Sequence, residues 1–281
     1  MKTIAVFGHD SGDAAVRRRV HAMSDDGFDI IGYMPRRRAD KAADWHNVDL
    51  GMTRDGAFLN RIKVIFTGAW RAARPHNNLK CADLIYARNL DMLACAFLAK
   101  CFLNSKTPVI YECLDVHRMM CREDFIGKSL RAVEGALLKR CEGLVVSSPG
   151  FLRNYFARYH KDLYRAVVVE NRLAAGAHYG ARTKSAAHLG KSIPLKLGWV
   201  GNLRCKVSLD LLVDLADHFG SRLEVHLHGQ PARTEIEVFE PMIEPRANMF
   251  YHGRYRSPED LATVYDGLDI VWAGDFMEAG Y

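Results

Sequence analysis

Short apolar runs alternate with longer stretches of helical period through most of this chain. Runs at 3–8, 28–34, 83–87, 108–112 and 144–147 read as strands. Helices are expected from about residue 12, up to 104, and over about 128–141, and 167–169 closes the series. Strands separated by helices form parallel sheets covered on both faces. From 174 to 194 the sequence holds Ala, Gly, Ser and single charges without sustained period, and it predicts an interdomain linker. A second series starts at 195. It runs through a helix ending at 219, strands at 223–231 and 248–253, and a capped helix from 257 that feeds a last strand. Along the first of these helices Leu209, Leu212, Val213 and Ala216 share one side, and Asp210, Asp214 and Asp217 the other. The expected fold class is α/β: two Rossmann-like domains, 1–173 and 195–281, the second incomplete with three or four strands.

The second series carries the clearest candidate chemistry. Its first strand ends in Val-Gly-Asn-Leu-Arg-Cys-Lys (200–206) and its second in His-Gly-Gln-Pro (228–231). Gly201 and Gly229 let backbone approach a ligand closely, and Arg204 with Lys206 supply positive charge at the start of a helix whose own dipole favours anions. That is a nucleotide diphosphate site in outline; the same pair also fits an exposed basic helix start. In the first series, Gly8-His9-Asp10-Ser11-Gly12-Asp13 is a glycine turn from strand to helix, read either as a phosphate and acceptor loop or as a plain turn. No Gly-x-Gly-x-x-Gly follows any strand, which argues against a dehydrogenase.

Val200-Gly201-Asn202-Leu203 with Lys206, Gly229-Gln230-Pro231, Tyr251-His252-Gly253 and Tyr265-Asp266-Gly267-Leu268-Asp269 follow one another at a spacing that resembles the donor half of GT-B fold glycosyltransferases. The likeness is to the retaining family 4 enzymes, in particular glucosyltransferases of succinoglycan-type exopolysaccharides, and it covers nearly the whole chain. Two departures stand out. Asn202 occupies the place of the family's phosphate-binding Arg, so either Arg204 takes that role or the donor is held differently. Glu278 resembles the first Glu of the family's Glu-x7-Glu sugar motif, whose second Glu would fall past Tyr281, so the chain reads as truncated. Val109-Ile110-Tyr111-Glu112-Cys113-Leu114-Asp115-Val116-His117 resembles the family's Val-Tyr-Glu-x-His-Asp strand end, with Leu114 at the His position. Asp115 and His117 are therefore the candidate residues for orienting sugar hydroxyls, and His117 reads equally as a hydrogen-bonded histidine at a helix start. Ser147 and Asn171 match positions that border the family's site, and Ser147 reads equally as a helix cap ahead of Pro149. The resemblance implies a UDP-hexose donor, a lipid-linked oligosaccharide acceptor, and neither cofactor nor metal. The alternatives are a non-catalytic nucleotide-binding fragment and a GT-B nucleotide-sugar epimerase.

Composition narrows the partners. Of 281 residues, 49% are hydrophobic and 26% charged, as in globular proteins, and the longest apolar run is far shorter than the roughly 18 residues a membrane span needs. Seven cysteines without paired Cys-x-x-Cys spacing suggest buried thiols in a reducing cytoplasm rather than zinc or disulfides. Residues 1–180 hold 28 Lys and Arg against 19 Asp and Glu; residues 181–281 hold 11 against 14. The basic half, with Arg17-Arg18-Arg19 and Arg36-Arg37-Arg38, lacks interleaved aromatics for nucleic acid. It suits either an anionic membrane surface or simple solvation. Phe58, Ile62, Ile65, Phe66, Ala69, Trp70 and Ala73 recur at helical spacing beside Arg61, Lys63, Arg71 and Arg74, which fits a membrane-surface helix or one buried on the sheet. A cytoplasmic protein, peripheral on the inner membrane face, is the expected location.

Overall fold

The computed structural model describes residues 1–36, 43–52, 58–172, 194–257, 259–274 and 276. The chain divides into two units, Met1–Ala174 and Ala175–Gly280. The stretch expected to link two domains lies, apart from Pro194, outside the described residues.

The first unit is built from β1 (Thr3–Phe7), α1 (Ala14–Asp25), β2 (Asp29–Arg36), β3 (Asn47–Met52), α2 (Phe58–Ala72), β4 (Leu84–Arg88), α3 (Asn89–Phe102), β5 (Val109–Cys113), α4 (Phe125–Leu138), β6 (Gly143–Val146), the short α5 (Ala157–Tyr159) and β7 (Ala166–Val168). Among the described residues its seven strands are all parallel, in the order β3-β2-β1-β4-β5-β6-β7. Both faces of the sheet are buried, which is why its strands read as continuous apolar runs rather than alternating ones. Ile4 and Val6 pack with Val16 and Val20 of α1. Ala5 and Phe7 face the opposite core, where Ala69 and Ala72 of α2 and Leu93 and Ala96 of α3 close the layer.

Two elements escaped the hydropathy pattern. β3 is an edge strand whose sequence Asn-Val-Asp-Leu-Gly-Met buries only Leu50, so it carries no apolar run. Phe151–Phe156 forms a π-helical turn that buries Phe151, Tyr155 and Phe156, a spacing that belongs to neither the helical nor the strand period.

The second unit contains β8 (Leu195–Leu203), α6 (Lys206–Phe219), β9 (Leu223–Pro231), α7 (Glu240–Ile243), β10 (Met249–Gly253), α8 (Leu261–Asp266) and β11 (Ile270–Trp272). Among the described residues its four parallel strands run in the order β10-β9-β8-β11. Leu209, Leu212, Val213 and Ala216 of α6 pack on Leu197, Trp199, Val225 and Leu227. Burial of each of the larger side chains contributes about 1.5–3 kcal/mol. The wet side of α6 carries the three aspartates, as its spacing predicts.

Candidate functional site

The chemistry expected of the second unit gathers at the carboxyl ends of β8 and β9. Gly201 and Gly229 stand opposite each other in register, with φ of +139° and +142°. Side chains rarely tolerate such backbone, so both positions call for glycine. A Cβ on Gly229 would come within 1.7 Å of the Gly201 carbonyl oxygen, whereas one on Gly201 would meet nothing within 4 Å. Gly229 therefore serves strand-to-strand closeness, and Gly201 leaves its backbone open to a ligand.

Helix α6 begins directly beyond. Cys205 caps it, its buried sulfur accepting from the Ser208 N–H at 3.3 Å and from the Phe276 N–H at 3.3 Å. Ser208 Oγ donates to the Gly274 carbonyl at 2.8 Å, which ties the segment after β11 to the same helix start. No acidic residue occupies the first turn of α6. The two cations differ in setting. Arg204 is half-buried in the turn closed by its N–H on the Asn202 carbonyl. Lys206 is exposed and engaged along the helix by Asp210, with Nζ 2.7 and 2.8 Å from the two carboxylate oxygens. A phosphate at this end has to draw Lys206 from that pair. Glu278 lies outside the described residues.

In the first unit, Asp115 and His117 are both exposed on the loop that follows β5. Several contacts hold this loop. Ser147 Oγ donates to the Leu114 carbonyl at 2.6 Å, and Cys113 Sγ lies 3.5 Å from the Asp115 carbonyl. Arg131 of α4 donates to the carbonyls of Met120 and Arg122, both at 2.6 Å. His117 Nδ1 accepts the Met119 N–H at 3.3 Å, the helix-start role foreseen for it, which leaves the ring proton on Nε2. Ser147 does not cap a helix; the turn at Pro149 is closed by Ser148 Oγ, which accepts the Gly150 N–H.

Gly8 and Gly12 bracket the loop after β1. A Cβ on Gly8 would sit 3.0 Å from the Met34 sulfur, and the Gly12 N–H is taken by Asp10 Oδ1 at 3.0 Å. Asp13 caps α1, accepting from the N–H groups of Ala15 and Val16. That carboxylate already fills the helix start where a phosphate would lie, so the geometry favours a strand-to-helix turn here.

The arginines of the Arg17-Arg18-Arg19 cluster are half-buried and each meets a tertiary partner. Arg17 pairs with Asp44 at 2.8 Å, Arg18 donates to Asn171 Oδ1 at 3.0 Å, and Arg19 reaches the buried Glu112 at 2.9 Å. Arg36 pairs with Asp49 at 3.1 Å, and Arg37 and Arg38 lie outside the described residues. On α2, Ala69 and Ala72 are buried while Phe66 and Trp70 stand 59% and 58% exposed, with the Arg74 guanidinium 4.2 Å over the Trp70 ring. The side chains of Phe58, Arg61 and Ile62 lie outside the described set. Sequence reading passed over two buried charge centres, Arg88 with Glu112 and Glu134 with His160. Among the described residues no group of three His, Cys, Asp or Glu is arranged to hold a metal ion.

No family model matches the chain. Over 288 aligned residues it is 36% identical to the succinoglycan biosynthesis protein ExoL of Rhizobium meliloti strain 1021, covering all of this chain and 71% of that protein. Sucrose-phosphate synthase from Thermosynechococcus elongatus superposes over 96% of this chain and 75% of its own, with a TM-score of 0.75 at 12% identity. Anabaena HepE, solved with UDP and glucose, aligns over 91% of this chain and 70% of its own at a TM-score of 0.59 and 12% identity. A Listeria monocytogenes protein described as a putative UDP-N-acetylglucosamine 2-epimerase aligns over 92% and 70% at 0.58 and 10% identity. At such identities the structural likeness is one of fold.

Proposed function

The chain belongs to the GT-B fold glycosyltransferases of exopolysaccharide biosynthesis, and we propose that it moves a hexose, glucose in the first instance, from a UDP-sugar to a lipid-linked oligosaccharide with retention of configuration. In this reaction the bond from the sugar C1 to the diphosphate breaks, an acceptor hydroxyl oxygen bonds to C1, and its proton passes to the departing phosphate. Negative charge grows on the diphosphate, so the protein's task is to meet it with cations and N–H groups. The observation that carries the reading is the start of α6: the open backbone at Gly201, a helix N-terminus free of first-turn acids, and Arg204 and Lys206 beside it. Gly229 holds β9 against that turn. Asp115 and His117 orient acceptor hydroxyls.

No helix among the described residues is long and apolar enough to cross a membrane. The exposed Phe66 and Trp70 with Lys63 and Arg74 support peripheral attachment to an anionic inner leaflet, where a lipid-linked acceptor resides.

The test is incubation of the chain with radiolabelled UDP-glucose and lipid-linked saccharide extracted from membranes. The expected outcome is labelled glycolipid with a retained anomeric centre, one UDP per sugar moved, and insensitivity to a chelator. An epimerase, the activity described for the Listeria relative of this fold, would instead change the sugar on the nucleotide without acceptor. Nucleotide binding without turnover would identify a binding module and overturn the transferase reading.

A further inference from the structure

The strand order of the first unit reverses between β1 and β4. At such a switch point the carboxyl ends of neighbouring strands lead to opposite sides and leave a crevice, the usual place for a ligand in a parallel sheet. Phe7 is in register with Ala87, so the next residues along, Gly8 and Arg88, stand at this point.

Three features meet there. Arg88, the last residue of β4, is 1% exposed, and its Nη1 is buried without a hydrogen-bond partner among the described residues. Its Nε lies 2.6 Å from Glu112 Oε2, an ion-pair contact without hydrogen-bond geometry, while Arg19 lies 2.9 Å from Oε1, so one carboxylate is shared by two guanidiniums and leaves donors of Arg88 unsatisfied among the described residues. Asn89, half-buried at the first position of α3, has φ of +65°, and its Oδ1 is likewise buried without a partner among the described residues. A left-handed residue that carries a Cβ is unfavourable, and such strain gathers at functional positions. Asparagine thus stands where glycine would sit more easily.

A donor and an acceptor on consecutive residues match a pair of neighbouring hydroxyls, one accepting from Arg88 and the other donating to Asn89. Charge favours a neutral ligand over an anion. Arg19 and Arg88 are offset by Glu112 and by Asp91 in the first turn of α3, whose Oδ1 takes the Met92 N–H at 2.9 Å. We infer that Arg88 and Asn89 form a saccharide subsite that holds vicinal hydroxyls of the acceptor sugar, an assignment that rests on the transferase reading above.

The deciding variant is Asn89→Gly, which removes the amide yet suits the backbone. It is expected to fold with a thermal midpoint at or above the parent's, to keep parental UDP affinity, and to raise the acceptor KM at least tenfold. Arg88→Lys keeps a cation beside Glu112 but loses the fork, and is expected to raise the same KM. Binding is read independently by saturation-transfer NMR on the full chain with methyl glucoside and methyl galactoside as probes: the parent gives signals, and Asn89→Gly abolishes them. A parental acceptor KM with parental NMR signals in Asn89→Gly would overturn the subsite, as would a parent that gives no signal with either probe. If no acceptor supports turnover while the NMR signals persist and depend on Asn89, the transferase reading falls and the subsite stands.

Discussion

Glu134 shows what a single buried carboxylate does for the first unit. It accepts from the Tyr111 hydroxyl at 2.8 Å, the Tyr155 hydroxyl at 2.5 Å and His160 Nε2 at 2.7 Å, all of them buried. Burial and then the Glu134 charge push both phenols well above their ordinary range, so they remain donors. Glu134→Leu strands three donors in the core, each costing about 1–3 kcal/mol, and is expected to lower stability by about 3–5 kcal/mol in urea unfolding. Glu134→Gln retains an acceptor oxygen and should lose less than half of that. Nothing in the sequence marks this residue, because the local pattern misleads: Val133 is 49% exposed and its charged neighbour is 2% exposed. Arg88 was equally hidden, a charge closing the apolar run of β4. Gly201 and Gly229, in contrast, were legible, since a glycine that ends a strand before a cationic helix start has a steric reason visible in one dimension.

At the scale of elements, α6 and α2 each carry a prediction. The Lys206–Asp210 pair is an exposed i,i+4 contact of the kind worth about 0.2–1 kcal/mol. Asp210→Asn frees Lys206 and is expected to tighten UDP binding by up to about fivefold in calorimetry, whereas Lys206→Ala weakens it. Unchanged affinity in both variants would remove Lys206 from the site. On α2, Phe66→Ser with Trp70→Ser removes the two exposed rings without touching the buried Ala69 and Ala72. Sedimentation with phosphatidylglycerol vesicles should show at least a tenfold loss of binding at unchanged circular dichroism; equal binding would assign α2 to another surface. Most strands were legible as buried apolar runs. β3 was not, because an edge strand that buries one residue needs no run, and the π-helical turn at Phe151–Phe156 was not, because its spacing fits no regular period. The partners of the α1 arginines were not legible, because a charge run says nothing about the acids that tertiary contacts bring to it.

Across the whole molecule the two units keep separate cores, and the histidines of the second predict that they differ in their response to acid. On the sheet face away from α6, the rings of His228 and His252 stack at 4.3 Å and His226 Nδ1 lies 2.9 Å from His252 Nε2. Burial, then the charges of His252 and His226, hold His228 down to about 4 from 6.5, and burial also lowers His252. A base with a depressed folded pKa adds stability above pH 6.5 that is lost as pH falls toward 4, because the unfolded chain takes the proton first. Calorimetry at pH 7.5 and 5 should show the transition of the second unit moving down much more than that of the first, and His228→Asn should flatten the difference. Equal shifts in both transitions would contradict this.

The parallel topology also sets a calendar. Each of the seven strands of the first sheet, including both neighbours of β1, lies before residue 169, and β8, the centre of the second sheet, starts at Leu195. Synthesis proceeds from the N-terminus and domains fold as units. The first unit thus has its described strands in place while its companion is still being made. Among the described strands of the later sheet, β11, the latest made, settles beside β8, the first made, so any pause in translation before residue 270 leaves one edge of β8 as an open seam.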